Sequence, residues 1–197
     1  MLEQQFDSII SGCRSLFEKK MGDYGATWMF FRYESIADQL WIKIRRVRVL
    51  ETNGGNALIP EGREEEFVGI INYAVIALMR LKMPELFPDG DRVMLDTALV
   101  ENIGVEAASN AYAKIAEEAK ALMIKKNHDY GDAWRSMDPV SITDQIIIKI
   151  YRIKNILKNG GKVSVSENID AQLFDIINYS VFALIRAREG KENGERI

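Results

Sequence analysis

The stretch Lys149-Ile-Tyr-Arg152, followed by Asn159-Gly160-Gly161 and then by Asp175-Ile-Ile-Asn-Tyr179, occurs a second time earlier in the chain. The earlier version reads Lys43-Ile-Arg-Arg46, then Asn53-Gly54-Gly55, then Gly69-Ile-Ile-Asn-Tyr73. The two versions are 106 residues apart throughout, and over residues 19–82 about 26 of 64 positions are identical without an insertion or deletion. Solenoid units repeat every 20–50 residues or so, and this longer period therefore indicates a duplicated domain.

The composition of the 197 residues bounds the chemistry of the protein. Hydrophobic residues make up 47% and charged residues 28%, which is typical of a globular chain. The net charge is −3 and the pI about 5.4, so there is no overall basic field for duplex nucleic acid. One histidine and one cysteine nearly exclude Ser-His-Asp catalysis and histidine-rich metal sites. We expect a cytoplasmic protein without a membrane partner, with Cys13 as a core residue, because neither a signal peptide nor a long apolar run is visible.

The hydrophobic periodicity predicts an all-α fold in which a three-helix unit occurs twice. Helices are expected at about 3–21, 36–51 and 61–82, at 106–126, 142–158 and 167–188, and as a short element at 91–101. Ser35 resembles an N-cap, and Asn53-Gly54-Gly55 is a strong helix stop. The predicted boundaries are 1–83 and 106–189 for the repeats, 84–105 for the linker and 190–197 for a frayed tail. Because three helices bury little surface alone, the repeats should pack about a pseudo-twofold axis.

Two polar stripes run along the second and third helices of both repeats. On the second helix, Ser35, Gln39, Lys43 and Arg46 lie on one face, and Ser141, Gln145, Lys149 and Arg152 repeat that face unchanged. On the third helix the stripe is acidic: Glu61, Glu65, Gly69 and Asn72, matched by Glu167, Ala171, Asp175 and Asn178. The facing stripes predict a cleft in which carboxylates hold Mg²⁺ and the cations grip phosphates. The alternative is that the stripes form ion pairs between neighbouring helices.

A second group of polar and aromatic residues follows the first helix of each repeat. Asp23-Tyr24-Gly25 precedes Trp28, and Asp129-Tyr130-Gly131 precedes Trp134. One interpretation is a structural turn plugged by an aromatic residue, since glycine can cap the helix. The other is a platform on which a nucleobase stacks while a carboxylate reads its amines.

These motifs, Lys-x-x-Asp-Tyr-Gly, Ser-Ile-x-Asp-Gln-x-x-x-Lys-Ile-x-Arg and Asn-Tyr on the third helix, resemble those of the nucleotide modification associated domain family. The resemblance covers nearly the whole chain and implies a helical protein of nucleotide metabolism. The chain is also distantly similar to the MazG-like all-α nucleoside triphosphate pyrophosphohydrolases, which use clustered carboxylates and Mg²⁺. The Glu-x-x-Asp motif of those enzymes is divided here: Glu66-Phe-Val-Gly69 keeps the glutamate, and Gln172-Leu-Phe-Asp175 keeps the aspartate.

The resemblance and the stripes leave three functions open. As a pyrophosphohydrolase, the chain would use Glu65 and Asp175 in catalysis and would bind Mg²⁺ through Glu61, Glu65, Glu167 and Asp175, in a site composed between the repeats. The expected ligand-binding residues are Lys43, Arg46, Lys149, Arg152, Asp38, Asp144, Asp23, Tyr24, Trp28, Asp129, Tyr130, Trp134, Asn72 and Asn178. The alternatives are a nucleotide-binding module without catalysis and a helical scaffold. In each case a second copy of the chain is a candidate partner.

Overall fold

The chain forms an all-α structure built from two copies of a three-helix unit. The computed structural model describes residues 1–55, 58–59, 61–87, 98–161 and 168–192, and these residues contain no β-strand. The first repeat consists of α1 (Leu2–Tyr24), α2 (Tyr33–Thr52) and α3 (Arg63–Lys82). The second consists of α4 (Val105–Tyr130), α5 (Pro139–Lys158) and α6 (Ile169–Glu192). The predicted fold class, a tandem duplication of a helical unit, is confirmed.

Short helical segments connect the long helices. A 3-10 turn follows the first helix of each repeat, at Thr27–Phe30 and at Ala133–Ser136, and another spans Pro84–Leu86. A single α-helical turn, Ala98–Glu101, lies within the short helix predicted at 91–101. The first seven residues of that prediction, 91–97, fall outside the described residues.

The second helix of each repeat begins three residues earlier than the sequence predicted. The prediction that Ser35 caps α2 is wrong, because the helix already starts at Tyr33 after the extended residue Arg32. In the second repeat the Asp138 side chain caps α5 by accepting a hydrogen bond from the Val140 N–H at 2.8 Å, ahead of Pro139 in the first turn. Aspartate followed by proline is a standard helix start, and this signal identifies the beginning of α5 better than Ser141 does.

The predicted stop signal after the second helix is confirmed in both repeats. α2 ends at Thr52 and α5 at Lys158, each directly before an Asn-Gly-Gly sequence. The glycines take positive φ values of 68° and 81° in the first repeat, and of 65° and 78° in the second. Side chains rarely adopt this backbone conformation, so the glycines end the helix at the same place in both copies.

The last helix extends beyond its predicted end. We expected fraying from Glu189, but α6 continues to Glu192, and residues 193–197 fall outside the described residues. Glu189 accepts hydrogen bonds from Gln5 at 2.8 Å and from Arg135 at 2.7 Å. Burial alone would raise the pKa of Glu189, but these hydrogen bonds outweigh it and hold the pKa below its usual value. The final turns of α6 are thus attached to α1 and to the 3-10 turn before α5.

The two repeats pack as the halves of a twofold dimer would. Each helix contacts its own counterpart, α1 with α4, α2 with α5 and α3 with α6. Two ion pairs repeat this reciprocity, because Asp38 binds Lys154 while Asp144 binds Arg48, which matches Lys154 at the offset of 106. In a twofold interface, a contact between one surface and another must recur with the partners exchanged.

A single hydrophobic core spans both repeats. α3 and α6 lie at its centre, where Ile70, Ile71, Ile176 and Ile177 are fully buried. Burying one such side chain stabilises the fold by about 1.5–3 kcal/mol, and a shared core supplies more of this than one repeat could. Cys13 belongs to the core as predicted, and burial raises its pKa to about 12. None of the described helices has both the length and the apolarity needed to cross a bilayer.

Candidate functional site: one cavity in each repeat

Each repeat forms its own cavity, partly open to solvent, between its three helices. The cavity of the first repeat has a volume of about 540 Å³ and that of the second about 420 Å³, both in the range of small-molecule sites. We call them the first and the second cavity. Every described residue that lines the second cavity has a counterpart lining the first at the offset of 106. The lining thus repeats as closely as the helices do.

The two linings share several side chains. The first cavity is lined by Leu16, Phe17, Lys20, Met21, Tyr24, Gly25, Thr27, Trp28, Phe31, Gln39, Lys43, Glu61, Glu65, Glu66, Gly69, Asn72, Tyr73 and Ile76. The second is lined by Met123, Lys126, Asn127, Tyr130, Gly131, Ala133, Trp134, Met137, Lys149, Asp175, Asn178, Tyr179 and Phe182. Two lysines, two tyrosines, a tryptophan, a glycine and an asparagine are identical in both. Among the described residues, neither lining mixes residues of the two repeats, so the acidic and basic faces meet within each repeat.

In the first cavity, a buried glutamate neutralises two cations. The Glu66 side chain is 5% exposed and binds Lys43 at 3.2 Å and Arg46 at 2.5 Å. Arg46 also binds the exposed Glu61 carboxylate at 3.2 Å and donates to the Glu61 carbonyl at 2.9 Å. A carboxylate this well buried requires such pairing, because desolvation strongly disfavours an isolated charge.

Glu65, another carboxylate of the first cavity, caps the start of α3. Glu65 accepts a hydrogen bond from the Gly62 N–H at 2.9 Å, which satisfies one of the free backbone donors at the start of α3. One turn later, Gly69 leaves room for the Lys43 side chain. A Cβ at this position would lie 2.6 Å from Lys43 Cε and 2.8 Å from Cδ. The glycine therefore lets the lysine lie across α3 and reach Glu66.

In the second cavity, the carboxylate comes from a different position on the third helix. Asp175, which matches Gly69, binds Lys149 at 2.7 Å and also binds Lys126. The Lys149 and Asp175 side chains are only 12% and 13% exposed. At the position of Glu66 the second repeat carries the neutral Gln172, which is buried. The described residues lining this cavity thus contain two lysines and one carboxylate, whereas the first cavity contains two lysines and three carboxylates.

The matched asparagines of the two cavities have different partners. Asn72 accepts a hydrogen bond at 2.8 Å from the hydroxyl of Tyr112, which belongs to α4 of the other repeat. Burial raises the pKa of Tyr112 well above its usual value, so the hydroxyl stays a donor. The residue matching Tyr112 is Phe6, which has no hydroxyl. Asn178 is 5% exposed, and neither its Oδ1 nor its Nδ2 has a hydrogen-bond partner among the described residues.

The aromatic residues of the predicted platform separate into exposed and buried ones. Tyr24 and Tyr130 are 67% and 75% exposed, and each lies on the rim of its cavity. Trp28 and Trp134 are buried and plug the turn after the first helix. Trp134 stacks on Phe182 with ring centroids 4.3 Å apart, and the Arg135 guanidinium lies 4.3 Å from the indole centroid. This arrangement agrees with the structural interpretation of the tryptophans and leaves the tyrosines as candidate stacking surfaces.

Several predicted ligand-binding residues lie away from the cavities. Asp38 and Asp144 form the reciprocal ion pairs between α2 and α5, because their positions on these helices face the other repeat. Asp23 and Asp129 are exposed at the ends of α1 and α4, where Asp129 lies 3.1 Å from His128 Nδ1. Arg152 is exposed on α5. None of these five residues lines either cavity.

The described residues do not form the predicted magnesium site. No three of their histidine, cysteine, aspartate or glutamate side chains are placed so that they could hold one metal ion. Asp175 lies in the second cavity, whereas Glu61 and Glu65 lie in the first, and each of the three already binds a cation or a backbone N–H. Glu167, the fourth predicted ligand, lies outside the described residues. The three predicted ligands that the structure describes therefore do not meet around one metal ion.

The cavities also contain residues that were not predicted to bind a ligand. Lys20 and Lys126 line the cavities one turn before the Asp-Tyr-Gly turn. Their signal was present, because both belong to the Lys-x-x-Asp-Tyr-Gly motif that is identical in the two repeats. Glu66 was marked in the sequence only as the glutamate of the divided Glu-x-x-Asp motif, and its burial between Lys43 and Arg46 identifies its role.

Comparison with known proteins extends these observations. No curated protein and no solved structure matches the chain. The family described as nucleotide modification associated domain 1 matches twice, over residues 20–81 and 126–187. The two matched segments lie 106 residues apart, as the repeats do, and they contain all but the first residues of both cavity linings. They also cover more than half of the chain, and the protein therefore belongs to the nucleotide modification associated domain 1 family, whose domain it carries in two copies.

Proposed function

We propose that the protein binds a phosphorylated nucleotide in the cavity architecture common to its repeats, and that it does so without hydrolysing the ligand. The single observation that carries this proposal is the repetition of the lysine pair, the asparagine and the two tyrosines at matched positions of the linings. Lysine ammonium groups bind phosphates as point charges, an amide can pair with the edge of a base, and tyrosine can stack on its face.

Binding without hydrolysis is favoured by the state of the carboxylates. A hydrolase of this class would need carboxylates free to hold a metal ion or to activate water. Glu66 and Asp175 are instead paired with two cations each, and Glu65 caps α3. The family, which is associated with nucleotide modification, supports a nucleotide as the ligand class.

The test combines a thermal melt with an assay for pyrophosphate release. Each of the four dNTPs and dNMPs is added to the purified chain with and without Mg²⁺. We expect at least one nucleotide to raise the melting temperature by roughly 5–10 °C at 100 times its Kd, with no pyrophosphate released. Release of pyrophosphate would show that the protein is an enzyme rather than a binding module. Absence of any melting shift would favour the scaffold.

Adjacent lysines on α4 provide a matched control for the cavity. Lys125 and Lys126 are both exposed, but only Lys126 lines the second cavity. Lys126→Met should weaken nucleotide binding by about tenfold or more, because a phosphate contact is lost, whereas Lys125→Met should change it less than about twofold. Equal losses in both variants would indicate a general charge effect rather than a site.

Asp175→Asn should lower the melting temperature, because Asp175 pairs with Lys126 and Lys149. It should not change how nucleotide binding depends on Mg²⁺.

A further inference from the structure

The matched asparagines, Asn72 and Asn178, indicate which cavity holds the ligand. Buried side-chain amides are almost always hydrogen-bonded, since leaving one without a partner destabilises the protein by about 1–3 kcal/mol. Asn178 lacks protein partners at both amide atoms among the described residues. Exchanging the oxygen and nitrogen of the amide would therefore not give either atom a partner. It lines the second cavity, where both amide atoms are buried, so a ligand bound there would lie beside a residue whose donor and acceptor are unsatisfied.

In the first cavity, the matching asparagine has a hydrogen-bond partner from the other repeat. The Tyr112 hydroxyl occupies the Asn72 amide oxygen, while the matching position on α1 is Phe6. The helices are placed equivalently, since α4 packs on α3 and α1 packs on α6. One hydroxyl group thus distinguishes the two asparagines, and it satisfies the one in the first repeat.

Charge separates the cavities in the same direction. Among the described lining residues, two lysines outnumber one carboxylate in the second cavity, whereas three carboxylates outnumber two lysines in the first. Arg46 pairs with Glu61 and Glu66 of the first cavity, and the counterpart of Glu61 lies outside the described residues. At the positions described in both repeats, the second cavity has one carboxylate fewer than the first, so an anionic ligand meets less repulsion in the second cavity. The amide and the charges are independent observations, and both favour the second cavity.

We propose that the chain binds one ligand, in the second cavity, and that Asn178 reads the edge of its planar heterocycle while the first cavity serves the structure. This inference rests on the proposed function for the class of ligand. An amide presents a donor beside an acceptor, which complements a base edge that carries an acceptor beside a donor. Lys126 and Lys149 lie in the same cavity and would face the phosphate. Asn178 is thus a residue that determines specificity.

Calorimetric titration with dAMP, dGMP, dCMP and dTMP tests the proposal. We expect a stoichiometry of one per chain and a preference among the bases. Asn178→Leu should weaken binding of the preferred nucleotide by about 10- to 100-fold and should reduce the preference, because one bidentate pair is lost. The matched control is Tyr112→Phe, which gives α4 the residue that α1 carries at the matching position, Phe6, and should leave the affinity within about twofold.

The melting temperatures without nucleotide give a second readout. Asn178→Leu should raise the melting temperature by about 2 °C or more, because it removes an unsatisfied amide. Asn72→Leu should lower it, because the Tyr112 hydroxyl loses its acceptor. An Asn178→Leu variant that melts lower than the wild type would overturn the proposal.

The outcomes separate the two proposals. Two equal sites per chain, or a loss of affinity in Tyr112→Phe as large as that in Asn178→Leu, would overturn the inequality of the cavities and leave nucleotide binding intact. If none of the nucleotides binds the wild type, the proposed function fails, and the role of Asn178 as a base reader fails with it.

Discussion

The two cavities place the same ion pair at different positions of the third helix. In the first repeat, Lys43 pairs with Glu66, and glycine stands at position 69. In the second repeat, Lys149 pairs with Asp175, while the residue matching Glu66 is Gln172. The carboxylate has thus moved by three residues, about one helical turn, while the lysine has stayed in place.

This difference shows that the duplicated fold retains an interaction rather than a residue. A lysine that is mostly buried requires a nearby carboxylate, because desolvation strongly disfavours an unpaired charge. Either of two positions on the third helix can supply this carboxylate, since residues three apart lie on the same face. The divided Glu-x-x-Asp motif therefore reflects two solutions to one electrostatic requirement.

The largest effect is expected at Glu66. Glu66→Gln should lower the free energy of unfolding by about 2 kcal/mol, because it leaves Lys43 and Arg46 without their buried anion. Urea unfolding followed by circular dichroism measures the change. Glu61→Gln is the matched control on the same arginine, and it should cost less than about 0.5 kcal/mol because the Glu61 side chain is 62% exposed. Similar losses in the two variants would show that burial does not distinguish the pairs.

An exchange of positions sharpens the comparison further. The double variant Glu66→Gln/Gly69→Asp gives the first repeat the residue types of the second. It should be about 1 kcal/mol more stable than Glu66→Gln, because Lys43 can turn toward the new carboxylate as Lys149 does toward Asp175. Gly69→Asp alone should change the stability by less than about 1 kcal/mol, because the flexible end of Lys43, 2.6 Å from the new Cβ, can turn from Glu66 toward the new carboxylate while Glu66 keeps Arg46. Failure of the double variant to recover stability would mean that the two cavities are not interchangeable.

The smallest effects are expected between α2 and α5. Asp38→Asn and Asp144→Asn remove the reciprocal pairs with Lys154 and Arg48, and each should cost less than about 0.5 kcal/mol, since both aspartates are more than half exposed. The values should also be equal within the error of thermal denaturation, because the pairs are related by the pseudo-twofold axis. A much larger loss in one variant would break this equivalence.

Much of the fold was predictable because it depends on local patterns. The offset of 106 revealed the duplication, the apolar periodicity gave the six helices, and the Asn-Gly-Gly sequences gave the ends of α2 and α5. The start of α2 was predicted wrongly, because Ser35 fitted a capping pattern although the helix began earlier without a side-chain cap. The end of α6 was also missed, since its anchor is the distant pair Gln5 and Arg135.

The sequence by itself determined that the chain contains two helical units with lysines and asparagines at matched positions, because periodicity and duplication are properties of the chain. The tertiary structure alone decided the partners of those residues. Asp38 and Asp144 face the other repeat, Glu66 is buried between two cations, and Tyr112 satisfies Asn72 while Asn178 has no such partner. These contacts join residues from 20 to more than 100 positions apart, and only packing of the helices brings them together.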